Sequence, residues 1–419
     1  FAGEINAEAG GISLNGVTFN GPSNFIKNGT SSDQGTGNNI FNAPVSFTNN
    51  GTGYMLLCNT KNDVYNAEVT FTCNSSGIIY PAYRGTQTLF NDNVIINSTG
   101  SGGVRIGAST GSSELAVGKR IIVGSDGFSN GMLTLGNFTS SDTAQTSIAL
   151  TGSSIITLGP STTFAGKFTA EAGGICLNGT TFNGATNLIK NGSTSDQGTG
   201  NNIFNAPVSI INNGTGYCLL SNTTRDIYND TVTYTCTNSG IIYPAYRGTN
   251  TEFNADIIVN STGTGGVRIG ASTGTSTLAD SKKIIIGSEG FSNGTLMLGN
   301  FNSLNTNPQS LELTGNGILS LGPASTFEGD IISNTGGLCF NGATFNGIAN
   351  FTKNGASNDQ GIGNNIFNKL TTITNNGTGY ILMSSSKKDI FNADVNFTIT
   401  SSGIIYPGYT GIGNEFNEN

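Results

Sequence analysis

The segment FAGEINAEAGGISLNG at residues 1–16 returns as FAGKFTAEAGGICLNG at residues 164–179 and as FEGDIISNTGGLCFNG at residues 327–342. The interval is 163 residues both times. The motif SGIIYP repeats the same interval, beginning at Ser76, Ser239 and Ser402. Repetition at a fixed interval predicts a solenoid, in which each repeat packs only against its neighbours.

The repeats divide the chain into copy 1 (residues 1–163), copy 2 (residues 164–326) and a partial copy 3 (residues 327–419). We expect one continuous solenoid that is a fragment of a longer chain, because copy 3 stops inside a motif that continues in copies 1 and 2. An array of separate β-sandwich domains is the alternative interpretation. The absence of a linker in LGPSTTFAGKF, residues 158–168, favours the solenoid.

A shorter period lies within each copy. An aromatic–Asn pair recurs about every two dozen residues, with an apolar residue four positions after the aromatic one, as in Phe41-Asn42 with Val45. Repeats of this length, with Gly and Asn at the turns, are typical of the rungs of a parallel β-helix. We therefore predict an all-β, single-chain, right-handed parallel β-helix of about 18 rungs.

The aromatic–Asn pairs also predict how successive rungs contact one another. The aromatic rings should stack inside one corner, and each following Asn side chain should bond to its counterpart one rung away. The predicted ladder comprises Asn42, Asn66 and Asn91 in copy 1, and Asn205, Asn229 and Asn254 in copy 2.

Composition excludes several classes of protein. Charged residues make up 10% of the chain, with 17 basic and 25 acidic side chains, a net charge of −8 and no His. This acidic balance argues against a nucleic-acid partner. No apolar stretch approaches the ~18 residues of a membrane-spanning helix. The lack of His excludes His-dependent catalytic triads and most zinc sites.

The six cysteines change one at a time between copies, which predicts free thiols. Cys58 is replaced by Ser221 and Ser384, whereas Cys73 keeps its counterpart Cys236. A structural disulfide requires both partners together. We therefore interpret the cysteines as small buried side chains.

Carboxylates recur singly within each copy. Asp33, Asp196 and Asp359 lie in DQGTGNN or DQGIGNN, and Asp63, Asp226 and Asp389 precede aromatic–Asn pairs. A capped turn explains both sets. A calcium site around Asp33, Asp196 or Asp359 is a weaker alternative, because calcium usually binds several carboxylates. We predict no other metal, no cofactor and no catalytic residue.

The segment IIYPAYRGT at residues 78–86 is the strongest candidate for a binding surface. It brings two tyrosines close to an arginine, with another arginine about one rung later, and such groups stack on sugars or contact proteins. The alternative is that the tyrosines cover a bulged corner. The candidates are Tyr80, Tyr83, Arg84 and Arg105 in copy 1, Tyr243, Tyr246, Arg247 and Arg268 in copy 2, and Tyr406 and Tyr409 in copy 3, where Thr410 replaces the first arginine.

The running pattern GNNIFNAPVSFTNNGTGYMLL, DVYNAEVTFT, SGIIYPAYRGT and TLFNDNVIINSTG resembles the β-strand repeats of large secreted surface adhesins and fibre proteins of Bacteroidetes, of the gliding and attachment type. The resemblance covers the whole chain. It implies an extracellular or cell-surface location, a fibrous role and attachment, and it carries over no catalytic residue.

These observations predict a structural or adhesive extracellular fibre that gives rigid reach and multivalent weak attachment, without enzymatic activity. The expected partner is a cell-surface or matrix polysaccharide or protein, and the chains are also expected to associate end to end or laterally. We expect no nucleic-acid partner and no membrane span in this segment. The alternative is a carbohydrate-binding or carbohydrate-cleaving β-helix, similar to phage tailspikes and polysaccharide lyases.

Overall fold

The computed structural model describes residues 1–411 and 413–418. Those residues are all-β, with no helix, and their parallel stacked strands form a β-solenoid of about 17 turns. The predicted fold class is therefore confirmed. The chain divides into two compact units: unit 1 comprises Phe1–Thr194 with Asn202–Pro207, and unit 2 comprises Ser195–Asn201 with Val208–Asn419. Ile412 and Asn419, at the ends of the segment IIYPGYTGI and of copy 3, lie outside the described residues.

Each turn of unit 1 contributes up to three short strands, one to each of three faces. Strands on one face pair in parallel with those of neighbouring turns, except that the first face is interrupted between Ile121–Phe128 and Thr146–Ala149. The first face contains Ile5–Ala9, Ser23–Lys27, Val45–Asn49, Val69–Cys73, Val94–Ser98, Ile121–Phe128, Thr146–Ala149, Phe168–Ala172 and Thr186–Lys190. The second face contains Asp33–Gln34, Met55–Leu56, Ile78–Ala82, Gly103–Ile106, Met132–Leu135, Ile155–Leu158 and Gly174–Leu177. The third face contains Thr18–Phe19, Ile40–Phe41, Val64–Tyr65, Thr88–Phe90, Ser113–Leu115, Phe138–Ser140, Thr162–Phe164, Thr180–Phe182 and Ile203–Phe204.

Unit 2 repeats this arrangement of three faces. Its first face contains Val208–Asn212, Val232–Cys236, Ile257–Ser261, Ile284–Phe291, Gln309–Glu312, Ile331–Thr335, Ala349–Lys353, Thr371–Asn375 and Val395–Ile399. Its second face contains Asp196–Gln197, Cys218–Leu219, Ile241–Tyr243, Gly266–Ile269, Thr295–Leu298, Ile318–Leu321, Gly337–Phe340, Asp359–Gln360, Ile381–Leu382 and Ile405–Tyr406. Its third face contains Ile227–Tyr228, Thr251–Phe253, Ser276–Leu278, Phe301–Ser303, Ser325–Phe327, Ala343–Phe345, Ile366–Phe367, Ile390–Phe391 and Glu415–Phe416.

Alternation of inward and outward side chains builds the core. The strand Val45–Asn49 buries every second residue, as a strand with one solvent-exposed side requires. At the third face the buried rings stack almost parallel: Phe41 lies 4.9 Å from Tyr65, and Tyr65 lies 5.1 Å from Phe90, between ring centroids. In unit 2 the ring of Tyr228 stacks on Phe253 at 5.0 Å. Offset stacking of this kind adds to the free energy gained by burial.

The predicted asparagines lie on the solvent side of these rings and bond from turn to turn. In unit 1 the amide of Asn66 donates to Asn42 Oδ1 at 2.8 Å, and that of Asn91 donates to Asn66 Oδ1 at 2.8 Å. Asn205 donates to Asn183 at 2.8 Å in unit 1, and Asn254 donates to Asn229 at 3.0 Å in unit 2. These side chains are largely exposed, so the ladder covers the surface and not the core.

A second asparagine ladder, which the sequence did not suggest, follows the end of the first-face strands. Asn50 donates to Asn28 Oδ1 at 3.0 Å, and Asn74 donates to Asn50 Oδ1 at 3.0 Å. Glycines next to this ladder let the turns approach closely. A Cβ atom on Gly102 would lie 1.9 Å from the carbonyl oxygen of Gly77, which no side chain tolerates.

Candidate functional site

Three tyrosines of copy 1 cluster on the second face. Tyr80 belongs to the strand Ile78–Ala82, whose pairing with Gly103–Ile106 contains a β-bulge, and it is only 7% exposed. Its ring contacts Tyr54 and Tyr83 edge-on, with centroid distances of 5.6 Å and 5.1 Å. Tyr80 is thus buried in the bulged strand and contacts two tyrosines that are more exposed than it is. Tyr54 remains 44% exposed, and Tyr83 is partly exposed.

Two arginines flank this cluster. The guanidinium carbon of Arg84 lies 5.1 Å from the centroid of the Tyr83 ring, a cation–π contact, and Arg84 is exposed. Arg105 is partly buried beside Tyr80. Burial raises the pKa of Tyr80, and the nearby positive charge of Arg105 limits that rise. We call Tyr54, Tyr80, Tyr83, Arg84 and Arg105 the Tyr–Arg patch of copy 1.

Copy 2 reproduces the Tyr–Arg patch within unit 2. The ring of Tyr243 contacts Tyr217 at 5.5 Å and Tyr246 at 5.2 Å, and Arg247 lies 5.1 Å from the Tyr246 ring. Burial again raises the pKa of the central tyrosine, Tyr243, and the charge of Arg268 again opposes the rise. The same geometry therefore occurs in two separate copies.

Copy 3 keeps the tyrosines of the patch but changes its charge. Tyr406 contacts Tyr380 at 5.9 Å and Tyr409 at 5.5 Å, and Tyr409 is 62% exposed. Thr410 replaces the first arginine, and its hydroxyl donates to the carbonyl oxygen of Ser385. The three tyrosines of the patch thus occur in all three copies, whereas the exposed arginine next to the last tyrosine occurs only in copies 1 and 2.

Sequence reasoning missed one tyrosine in each patch: Tyr54, Tyr217 and Tyr380. These residues lie one turn before the IIYP segment, and only the pairing of the turns reveals that they meet it. A signal existed, because NNGTGY ends at each of them with the 163-residue interval.

The structure does not support the calcium interpretation of Asp33. The Nζ atom of Lys27, a side chain with no exposed surface, donates to Asp33 Oδ1 at 3.2 Å. It also donates to the backbone oxygens of Gly10 at 3.0 Å and Ser31 at 2.6 Å. Asp33 Oδ2 accepts from the amide of Ile12 at 2.8 Å. A lysine ammonium therefore takes the oxygens that a calcium ion would need.

The equivalent position in copy 3 has the same arrangement. Lys353 Nζ lies 3.7 Å from Asp359 Oδ2, and both side chains are buried. Asp359 Oδ2 also accepts from the amide of Leu338 at 2.8 Å. Asp196 is buried too, and in unit 1 Lys190 donates to the backbone oxygen of Thr194 at 2.7 Å. Among residues 1–411 and 413–418, no three His, Cys, Asp or Glu side chains are grouped to hold a metal ion.

Asp63 and Asp389 join neighbouring turns from inside the core. Asp63 Oδ1 accepts from the backbone amide of Asn39 at 2.8 Å and from its side-chain amide at 2.9 Å. Asp389 makes the same pair of bonds with Asn365, at 2.9 Å and 2.8 Å. Burial raises the pKa of both carboxyls to about 6, and the hydrogen bonds from the asparagines limit the rise. Both groups thus act as caps on backbone amides.

No protein-family model, curated protein or solved structure matches this chain. The fold and the recurring patch define its class: a β-solenoid repeat protein of parallel strands, with a tyrosine cluster on one face in each copy. Its function must therefore be argued from these surfaces.

Proposed function

We propose that the chain is part of an extracellular fibre or stalk at the cell surface, which gives reach and attaches weakly at many points. The observation that carries this proposal is the recurrence of the Tyr–Arg patch. Tyr54, Tyr80 and Tyr83 of copy 1 have direct counterparts in copies 2 and 3, with similar ring distances. Copying a contact surface raises the strength of attachment without a new contact type.

The backbone pairing supports the structural part of the role. Most consecutive turns pair strand by strand on the three faces of each unit, so most turns protect the edge of a neighbour. Opening one turn disrupts contacts with both neighbours, which favours resistance to heat and protease. The resemblance to surface-fibre repeats is consistent with such a role.

Bead adhesion tests the attachment. Beads carrying the 419-residue chain at matched density should adhere to polysaccharide-coated surfaces and to cells under flow. The variant Y83A/Y246A/Y409A, which removes one exposed ring from every copy, should detach at several-fold lower shear. Antibody labelling of intact cells of the source organism tests the location. Adhesion at the level of bare beads, or labelling only after permeabilisation, would contradict the proposal.

The alternative of a carbohydrate-cleaving β-helix is less well supported by the patch. A cleaving site needs a group that accepts a proton near neutral pH. Burial instead raises the pKa of Tyr80 and of Tyr243, so their hydroxyls keep their protons. A search for new reducing ends or falling viscosity in polysaccharide solutions decides between the two roles.

A further inference from the structure

We infer that the Tyr–Arg patch of copies 1 and 2 binds an anionic polysaccharide, one whose sugar rings carry carboxylate or sulfate groups. The inference rests on the proposed function and adds the chemical class of the ligand to it. It follows from three features of the patch: the freedom of its arginines, the placement of its rings, and the substitution in copy 3.

The exposed arginines of the patch have no carboxylate partner among the described residues, whereas several other basic side chains of the chain are paired. Lys119 pairs with Asp92 at 2.7 Å, and Arg225 pairs with Glu252 at 2.5 Å. Within the part of the chain that the structure describes, neither Arg84 nor its counterpart in copy 2 forms an ion pair. In a chain with a net charge of −8, these guanidinium groups are local positive charges available to an external anion.

The second arginine hydrogen-bonds to the central tyrosine, Tyr80 in copy 1 and Tyr243 in copy 2, but keeps one N–H donor without an acceptor among the described residues. The Nε atoms of Arg105 and of Arg268 are buried, and each is without a hydrogen-bond acceptor among the described residues. An unpaired buried donor is costly, and an oxyanion is the acceptor that best satisfies a guanidinium group. Because the same unpaired donor occurs in two copies, it is a property of the repeat and not of one position.

The rings and the guanidinium groups are arranged for a sugar chain. Tyr54 exposes 44% of its surface at one side of the buried Tyr80, and Tyr83 is partly exposed on the other side. Aromatic faces of this kind stack on the apolar faces of sugar rings. The guanidinium carbon of Arg84 lies 5.1 Å from the centroid of the Tyr83 ring, a contact that restricts the side chain, and Arg84 remains exposed.

Copy 3 provides a natural variant of the patch. It keeps Tyr380, Tyr406 and Tyr409 but has Thr410 in place of the arginine. The substitution of threonine for arginine is therefore compatible with the fold at this corner. The variant R84T/R247T gives copies 1 and 2 the threonine that copy 3 has at this position. It therefore tests directly whether the exposed arginine contributes to anion binding.

The experiment measures binding of the full chain to immobilised polygalacturonate, chondroitin sulfate and uncharged dextran, with polyglutamate as a competitor. We expect binding to at least one of the two anionic polysaccharides, weakening with added salt, and little binding to dextran. R84T/R247T should weaken that binding about tenfold, and R105M/R268M at least as much. The matched control R120T removes an exposed arginine outside the patch and should leave binding unchanged.

Four results would overturn the inference: no binding to either anionic polysaccharide, equal binding to dextran, equally strong competition by polyglutamate, or unchanged binding by R84T/R247T. Polyglutamate competition would indicate an acidic protein as the ligand. Unchanged thermal unfolding of R84T/R247T shows that a loss of binding is not a loss of fold. If the chain binds neither anionic polysaccharide but the beads still adhere, the inference is rejected and the proposed function is not. Anionic binding without bead adhesion rejects the proposed function and keeps the inference.

Discussion

The ammonium group of Lys27 lies 3.2 Å from a carboxylate oxygen of Asp33, and the Lys27 side chain has no exposed surface. All three of its protons have acceptors, because two backbone oxygens complete the set. The pair thereby ties together backbone from separate turns of unit 1. A buried ion pair is sensitive to the loss of one partner, since the remaining charge is left without compensation.

Replacing Lys27 with Met should destabilise the first turns of unit 1 by about 3–5 kcal/mol, because Asp33 then keeps a buried charge with fewer partners. The double variant K27M/D33N removes both charges. Its loss in the free energy of unfolding should therefore be smaller than the sum of the losses in K27M and D33N. The measurement is urea unfolding combined with hydrogen exchange at the amide of Ile12. The control is K167M, which alters an exposed lysine. Additive losses would show that the two side chains are not coupled.

Replacing Asn66 with Leu should cost about 1 kcal/mol, because the freed amide groups of the exposed ladder can bond to water. Asn49 is fully buried, and its side chain bonds within its own loop to the carbonyl oxygen of Gly53 at 2.9 Å and to the amide of Gly51 at 3.1 Å. N49A should therefore cost about 2–3 kcal/mol. Comparing the two urea midpoints tests this order. A larger loss in N66L would mean that the surface ladder holds the turns together.

The stability of the chain should fall as the pH rises from about 4 to about 6. The pKa of Asp63 is raised from its ordinary 3.8 to about 6 in the folded chain. The folded state therefore binds more protons than the unfolded state within this interval. The loss of stability caused by ionising the buried carboxyl group is complete above pH 6. The same holds for Asp389. Each carboxyl contributes about 2–3 kcal/mol to this change. Burial also raises the pKa of Cys58 and of Tyr65, so both neighbours stay neutral throughout.

The double variant D63N/D389N isolates the effect, because a new amide oxygen can still accept from the asparagine on the neighbouring turn. Urea midpoints of the variant should change less between pH 4.5 and pH 7 than those of the natural chain. At pH 7 the variant should be the more stable of the two. The control D126N changes an exposed carboxylate and should keep the natural pH dependence. Identical pH profiles in all three proteins would refute the assignment.

The six cysteines should react as free thiols, in an order set by their burial. Cys58, Cys73, Cys218 and Cys236 are buried, whereas Cys176 and Cys339 are partly exposed, and all six are free in the structure. Burial raises the pKa of Cys339 to about 12, so even this thiol should alkylate slowly. Mass spectrometry after native labelling should find the two partly exposed residues modified first. Six labels should appear after unfolding without reductant, and fewer would reveal a disulfide.

The solenoid could be predicted from the sequence because each turn imposes the same requirements. Gly and Asn recur because sharp corners need their backbone conformations, and an aromatic residue recurs because its ring stacks on the rings of neighbouring turns. Asn66 and Tyr65 recur at each turn for these reasons, and their neighbours lie where the period places them. Burial of Lys27 was not predicted, since charged side chains are normally exposed. Its recurrence six residues before each aspartate was visible, but only the folded turn shows that the two groups meet. The contact of Tyr54 with Tyr80 likewise depends on the register of separate turns.

The junctions between copies carry a consequence for inheritance. Within unit 1, Ser140 pairs with Phe164, the first residue of copy 2, and within unit 2 Ser303 pairs with Phe327, the first residue of copy 3. The third-face strand before each junction therefore pairs with an equivalent strand that crosses the junction. Unequal recombination that adds or removes 163 codons leaves every such pairing intact. A change in the length of the chain by whole copies is therefore compatible with the fold.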